Sequence, residues 1–545
     1  MPGQAVEGAE RLCITADGPV LQHDRVVDGR SRPIFMEPRR VGVILSRPPR
    51  PAGRVVRTAP SFTRSTGRVG REASTRSSPT GVVHGHVGVS ALSIAFVRQM
   101  MIVLGSVLAL LAVGCAAPPP DGPQIIAGPD GASIAEPVHI VVDGLAPGDP
   151  VRVWARANDR MGQWWESSGE FVADGTGDVD LTTAESTGGT YQGVDPTGLF
   201  WSMRLPDDRA APDPLVGADD VVVELGVDRD GTTIARSSLR RVVRAPETRS
   251  IAVLEAGLVG DLYLPPGSGP WPGVLLLGGA EGGRPDPAYA ALLASQGFAV
   301  LGLAYFGEPR LPTTLTRVPV EYGLSGARWL AERPEVTGPQ VGVIGTSRGA
   351  EYALLLASSE PARFGAVVAH SPSDVVWPAP RTVPPTSRVS SWTREGEDVP
   401  FLYRSATEEP APAPPVRTAS SYAEAVEDAG RWARTTARIP VDDITAPVLL
   451  TSGGDDGVWP STQQAGRALA VIDDAGNPFG SRHLDFPAAG HSVGGVPNLP
   501  TTRTTTPSGP VVLEGGGDPA ATAGAVRTTF AATLDVLQAL ATAEG

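Results

Sequence analysis

The sequence contains no lysine; all 45 basic residues are arginine. That absence removes a branch of chemistry. No Schiff base to a lysine amine can form, and no phosphate-cradling G-x-x-x-x-G-K-[ST] loop is possible. Cysteine is almost missing as well, with only Cys13 and Cys115 in 545 residues. There is no C-x-x-C, so a cysteine-based metal or redox site is excluded and a disulfide scaffold is not expected. Apolar residues make up 41% and charged residues 19% of the chain, a balance that suits a globular protein. The net charge of −14 is uneven: residues 1–99 hold 15 Arg against 7 acidic residues, so the rest is more acidic than the whole. An acidic body repels phosphates, which argues against a nucleic acid partner.

Long apolar runs are scarce. The conspicuous one is Met101–Val113, in "VRQMMIVLGSVLALLAVGCAAPPP". It is short for a membrane span and suits the apolar region of a signal peptide, with Arg98 as its positive flank. It ends at Gly114-Cys115 before a Pro-rich stretch. This resembles a bacterial lipoprotein signal with Cys115 as the lipid-bearing residue, and Ala112 is a weaker fit than the usual Leu. A signal works at an N-terminus, so translation is expected to begin near Val97, Met100 or Met101. Residues 1–96, rich in Arg, Pro, Ser and Gly and without periodicity, are then a disordered or mis-assigned upstream segment. The expected order is a signal over 97–114 and a Pro-rich tether over 115–123. The protein is expected at the cell membrane, anchored through a lipid on Cys115 and facing outward. If the run is instead a buried helix, the expectation becomes cytoplasmic.

Residues 124–245 alternate and turn often, which predicts a small β-sandwich. "EPVHIVVDGLAPGDPVRVWARAND" predicts strands Val138–Val142 and Val151–Ala157 around "LAPGDP". "GEFVADGTGDVDL" predicts a pair across "DGTGD", and "DDVVVELGVDRDGTTIARSSLRRVV" a pair across "DRDGT". The aromatics of "GTYQGVDPTGLFWSM" are expected in the core, and His139 is expected to be structural.

Over 250–545 short Val/Leu runs alternate with helical stretches. Strands are predicted at Gly273–Leu277, Phe298–Gly302, Val341–Ile344, Gly365–Ala369 and Pro447–Thr451. Helices are predicted over "PAYAALLASQG", "PVEYGLSGARWLAERPE" and Arg348–Ser358. Continuous apolar strands separated by helices predict an α/β fold with a mostly parallel sheet covered on both faces. Within it lies Gly345-Thr346-Ser347-Arg348-Gly349, a G-x-S-x-G. In so glycine-rich a chain the pattern arises by chance in about one sequence in two, so context decides. The context is a strand followed directly by a helix, which a nucleophile elbow requires. Ser347 is therefore the candidate nucleophile.

A serine hydroxyl needs a base to take its proton. In this fold the order is Ser, acid, His. His491, in the glycine-rich loop "FPAAGHSVGG", is the candidate base; His483, in the strand-like "SRHLDF", is expected to be structural, and His370 to line the pocket. The acid is expected in "SGGDDGVWP" after Pro447–Thr451. Spacing from Gly453 and Pro460 favours Asp456, leaving Asp455 as a loop carboxylate and Asp374 as an outside candidate. The oxyanion donors are expected to be the amides of Arg348, just after the nucleophile, and of Gly279 and Ala280 in "GGAEGG". No metal or organic cofactor is implied.

The chain resembles the family of acyl-CoA thioesterases and bile acid-CoA:amino acid N-acyltransferases. The likeness is carried by "RPEVTGPQVGVIGTSRGAEYALLLAS", "ASQGFAVLGLAYFGEPRLP", "GGDDGVW" and "FPAAGH", with "EPVHIVVDGLAPGDPV" and "GTYQGVDPTGLFWSM" upstream. It implies an immunoglobulin-like N-terminal domain and a C-terminal α/β-hydrolase domain, with Ser347, Asp456 and His491 as nucleophile, acid and base. It implies cleavage of a small-molecule acyl thioester or ester. The transferase branch carries Cys where this chain has Ser347, which favours hydrolysis. The alternatives are an acyl-CoA-dependent N- or O-acyltransferase and a catalytically inactive surface binding lipoprotein. The chain departs from the family pattern after His491, where "SVGGVPNLPTTRTTTPSGP" is more polar. The segment Trp377–Pro415 is expected to form a cap over the pocket.

Overall fold

The computed structural model describes residues 122–205, 220–380, 389–403, 414–508 and 511–542. The expected upstream segment, the signal, Cys115 and the tether as far as residue 121 lie outside the described residues.

The larger part is an eight-stranded sheet. Its strands are β1 (Arg249–Val253), β2 (Val259–Leu264), β3 (Trp271–Leu277), β4 (Ala299–Ala304), β5 (Val336–Thr346), β6 (Phe364–His370), β7 (Val448–Gly453) and β8 (Arg482–Phe486). They lie in the order β1-β2-β4-β3-β5-β6-β7-β8. From β4 to β8 every neighbouring pair is parallel; β1–β2 and β2–β4 are antiparallel. Every residue of β4 and of β7 is buried, as expected of strands covered on both faces.

The helices are α1 (Pro287–Ser295), α2 (Val320–Ala331), α3 (Arg348–Ser359), α4 (Ala419–Asp428), α5 (Arg431–Ala437), α6 (Ser461–Asp474) and α7 (Pro519–Leu537); α4 and α5 pack in a separate cluster with Val375, Trp377 and Trp459. Leu275, Leu301, Val343 and Val367 point to the face packed by α2, α3 and α6. Val274, Val300, Ile344 and Val368 point to the opposite face, packed by α1 and α7. The two-residue alternation thus sorts one apolar run into two cores. Local signals set the helix ends. Asp286 caps α1 through the Ala288 amide, with Pro287 at the first helical position, and Gly297, at φ +99°, ends it.

The preceding part is a β-sandwich. One sheet has three strands, in the order Gln124–Gly128, His139–Asp143, Val179–Asp180. The other has six, including Pro150–Asn158, Trp164–Val172, Val221–Arg229 and Thr232–Val242. Inward residues of both sheets, among them Ile140, Val142, Val153 and Leu225, share one apolar cluster with Tyr191, Phe200 and Trp201. His139 is exposed and pairs with Asp180 at 3.0 Å.

One expectation is corrected. The strands flanking "DGTGD" do not pair with each other. Trp164–Val172 belongs to the six-stranded sheet, whereas Val179–Asp180 pairs with His139–Asp143 in the other. The turn carries the chain between sheets, since the buried Phe171 and Val179 face one core from opposite sides. "LAPGDP" makes the same kind of crossing, while "DRDGT" closes a true hairpin.

Candidate active site

The C-terminal ends of β5, β6, β7 and β8 lie side by side, with Thr346 paired to His370, His370 to Thr451 and Gly453 to Phe486. Ser347 leaves β5 at this edge and α3 begins at Arg348. Its backbone has φ 55° and ψ −117°, a strained conformation for a residue with a side chain. The flanking glycines are required by space. A Cβ on Gly345 would strike the Gly349 carbonyl, and one on Gly349 the Gly278 carbonyl. The Ser347 amide donates to the His370 carbonyl at 2.8 Å.

Asp456 and His491 come from the loops after β7 and β8, and both are buried. His491 Nδ1 lies 2.8 Å from Asp456 Oδ2. Asp456 Oδ1 accepts from the amides of Val458 and Trp459 at 2.8 and 3.2 Å, and Oδ2 accepts from Ser461 Oγ at 2.7 Å. An ionised carboxylate only accepts, so the Nδ1 proton points to Asp456 and the Nε2 lone pair is left to take a proton. The His491 amide donates to the Gly515 carbonyl at 2.9 Å, and its carbonyl accepts from Ser371 Oγ at 2.6 Å. Ser371 directly follows His370, so two successive residues at the end of β6 touch the Ser347 backbone and the His491 backbone. The Ser347 hydroxyl makes no hydrogen bond to a described residue in this conformation. Catalytic hydrogen bonds of this kind are often long before substrate binds.

The other candidates are engaged elsewhere. Asp374 is clamped by Arg467 through two hydrogen bonds of 2.8 and 2.7 Å. Asp455 binds Arg417 at 2.7 Å and the Gly517 amide at 3.0 Å; the amide first, then the guanidinium, lower its pKa. His483 is bonded to Ser452 Oγ at 2.7 Å, and burial lowers its pKa. His370 was expected to line the pocket, but it is sealed in the core. Its Nδ1 lies 2.9 Å from Thr451 Oγ1, Gly494 packs against its ring, and burial pushes its pKa down to about 4.

The oxyanion donors need a partial correction. The Gly279 amide is occupied: it donates to Glu281 Oε1 at 2.7 Å. Tyr305 donates to the carbonyls of Gly278 and Gly279 at 2.6 and 3.1 Å and fixes these peptides. Arg348 is the first residue of α3, where an amide has no partner within its own helix.

Arg348 is expected from sequence to act through its amide alone, yet its side chain has a structural role of its own. Arg348 and Glu351 form a buried ion pair of 2.9 Å, with side chains 5% and 0% exposed. Burial raises the Glu351 pKa, and Arg348 opposes that shift. Glu351 Oε1 accepts from Trp392 Nε1 at 2.6 Å and the Trp377 amide at 3.1 Å. Arg348 donates to the carbonyls of Trp377 and Pro378 and to Ser391 Oγ. The described parts of the expected cap are therefore fastened to the first turn of α3. Trp392 also stacks on Tyr352, with ring centroids 4.4 Å apart. Arginine three residues before glutamate was the available signal, but on a helix that spacing usually marks an exposed pair.

A sheet in this strand order, with helices on both faces and an elbow after β5, defines an α/β-hydrolase fold. Residues 135–255 match the acyl-CoA thioester hydrolase/BAAT N-terminal region, and residues 318–540 the BAAT/acyl-CoA thioester hydrolase C terminal. The bile acid-CoA:amino acid N-acyltransferase of Mus musculus is 31% identical over 392 residues, covering 68% of this chain and 86% of that one. Acyl-coenzyme A thioesterase 1 of Mus musculus is 30% identical over 374 residues, covering 66% and 82%. Acyl-coenzyme A thioesterase 6 of Mus musculus is 38% identical over 232 residues, covering 41% of this chain and about half, 54%, of its own length. Among solved structures, the dienelactone hydrolase-like phosphotriesterase P91 from metagenomic libraries aligns at 17% identity with a TM-score of 0.32, covering 54% of this chain and 98% of that one. The chain belongs to the acyl-CoA thioester hydrolase and bile acid-CoA:amino acid N-acyltransferase family.

Proposed function

We propose that the protein is a serine thioesterase that cleaves small-molecule acyl thioesters, acyl-CoA among them, or acyl esters, through an acyl-serine intermediate. The observation that carries this reading is the buried Asp456–His491 pair on the sheet edge where Ser347 occupies a strained elbow. His491 Nε2 takes the Ser347 proton as Oγ bonds to the acyl carbon. The amide of Arg348 and one from the Gly279–Ala280 loop hold the tetrahedral oxyanion. The carbonyl re-forms, the C–S or C–O bond breaks, and His491 protonates the leaving thiol or alcohol. Water then gives a proton to His491 and attacks the acyl carbon. The C–Oγ bond breaks, the proton returns to Ser347 and the carboxylic acid leaves. Asp456 keeps the imidazole in the required tautomer and stabilises the imidazolium.

The test is turnover of acyl-CoA and p-nitrophenyl ester panels, with labelling by a fluorophosphonate probe. Wild type is expected to be active and labelled, and Ser347→Ala neither; undiminished turnover in Ser347→Ala rejects the nucleophile. A second reading, transfer of the acyl group to an amine, is favoured by the likeness to an amino acid N-acyltransferase across both parts of the chain. Conjugate formed on adding amino acid acceptors would select it. Absence of both turnover and labelling in wild type would select a binding protein. We also propose lipid anchoring at Cys115, supported by the apolar run before it. Among the described residues no helix is long and apolar enough to cross a membrane. Mass spectrometry of the mature N-terminus tests the anchor, and a native peptide from residues 1–96 rejects it.

A further inference from the structure

We propose that Ser371 is a positioning residue that holds the His491 loop, the Asp456 loop and the nucleophile elbow in one arrangement. The inference rests on the triad reading above.

Ser371 is the first residue beyond β6, fully buried, with φ +47°. A residue with a side chain holds that left-handed conformation at a cost, and glycine would hold it freely. Serine is present nonetheless, and each of its polar groups is used. Its amide donates to the Thr451 carbonyl at 2.7 Å, which continues the sheet contact to β7. Its hydroxyl donates to the His491 carbonyl at 2.6 Å. Its carbonyl accepts from Trp459 Nε1 at 3.1 Å.

Trp459 extends the link. Its amide donates to Asp456 Oδ1, and its ring meets the His491 ring edge-on, with centroids 6.1 Å apart. The residue before Ser371 supplies the third connection, because the His370 carbonyl accepts the Ser347 amide. The end of β6 is therefore a junction. One residue anchors the serine backbone, and the next anchors the histidine backbone and the tryptophan that bonds the acid. The three candidate side chains come from three different loops, so their relative placement must be fixed by contacts between those loops. Ser371 makes the bond that joins the histidine loop to the sheet on the side facing β6, and no glycine could make it.

The test uses the full chain with Ser371→Ala and Ser371→Gly. Both remove the hydroxyl, and only glycine relieves the strained φ. The expected result is a fall in kcat of about ten-fold or more in both. KM should change little, and fluorophosphonate labelling should slow in parallel. The glycine variant should melt at or above the alanine variant without recovering its rate, an outcome a merely structural role does not give. Trp459→Phe, which keeps the ring and loses the Nε1 proton, should give a smaller fall in kcat at the same KM. Wild-type kcat and labelling in either folded Ser371 variant overturn the proposal, as does a glycine variant whose rate returns with its stability. Labelling that persists in Ser347→Ala overturns the triad reading itself. Labelling lost there but unchanged in the Ser371 variants overturns only the role of Ser371.

Discussion

Glu281 is exposed, yet its carboxylate sits on the amide of Gly279, one of the groups expected to receive a substrate oxyanion. A carboxylate oxygen there imitates the charge that the site would stabilise during reaction, so it competes with the acyl carbonyl. Glu281→Ala leaves the amide free, and kcat/KM on a p-nitrophenyl ester is expected to rise a few-fold; a fall would mean that Glu281 supports the loop rather than blocking it. The glycines of "GGAEGG" made this loop legible in the sequence, but a side chain folding back onto an amide two residues earlier depends on loop geometry that no spacing encodes. His370 gives a pH prediction at the same scale. Its folded pKa, about 4, lies below the ordinary 6.5 because the charged form is excluded by burial. Above pH 6.5 both folded and unfolded states hold it neutral and its contribution is complete. Between 6.5 and 4 the unfolded chain binds a proton that the folded chain does not, so stability falls as pH falls, by about 3 kcal/mol at most. Chemical denaturation across that window should show wild type losing more stability than His370→Asn, which keeps a polar group for Thr451 and does not titrate. Parallel curves for the two proteins would contradict the assignment.

The elbow and the segment around Trp377 and Trp392 are coupled elements. The first turn of α3 carries the buried Arg348–Glu351 pair, and the segment around Trp377 and Trp392 binds both partners. Removing one partner of a buried pair strands the other charge, which typically costs 3–5 kcal/mol. Glu351→Leu should therefore lose about that much stability. Replacing both, as in Arg348→Met with Glu351→Leu, should recover a large part of it. Urea denaturation of the four combinations measures this, and simple additivity of the two single losses would show that the pair does not act as a unit. The sequence could be read well for isolated elements and poorly for their coupling. Apolar runs located β3 to β7 to within a few residues because strands buried on both faces leave little alternative pattern. The turn "DGTGD" misled because a turn sequence records that the chain reverses, not which sheet receives it. The triad candidates were legible because the elbow glycines and the loops after β7 and β8 are local features. Ser371 and the Trp459 side chain were not, since their roles arise only where separate loops meet.

The loop that bears His491 does not end at the hydrolase sheet. It runs on to the β-sandwich, where Asn498 Nδ2 donates to the Ile134 carbonyl at 2.8 Å, the Thr501 amide to Trp201 at 3.0 Å, and Thr502 Oγ1 to Met203 at 2.6 Å. It then returns, since the Gly515 amide donates to Thr504 and the Gly515 carbonyl accepts from His491. One apolar cluster continues from the sandwich interior to the α1 and α7 face of the sheet, so the sandwich is a firm support for this loop. Arg527 of α7 adds a bond to Thr197 at 2.7 Å. Asn498 has φ +60°, which glycine also adopts, so Asn498→Gly deletes the side-chain bond without straining the backbone. Thr502→Val deletes the second bond at nearly constant volume. Each loss should lower stability by about 1 kcal/mol. If the sandwich fixes the histidine loop, the double variant should also lose kcat several-fold while KM stays within about two-fold, because a small misplacement of a base weakens proton transfer more than binding. A double variant that melts lower but turns over at the wild-type rate would show that the sandwich stabilises the hydrolase fold without setting the position of His491.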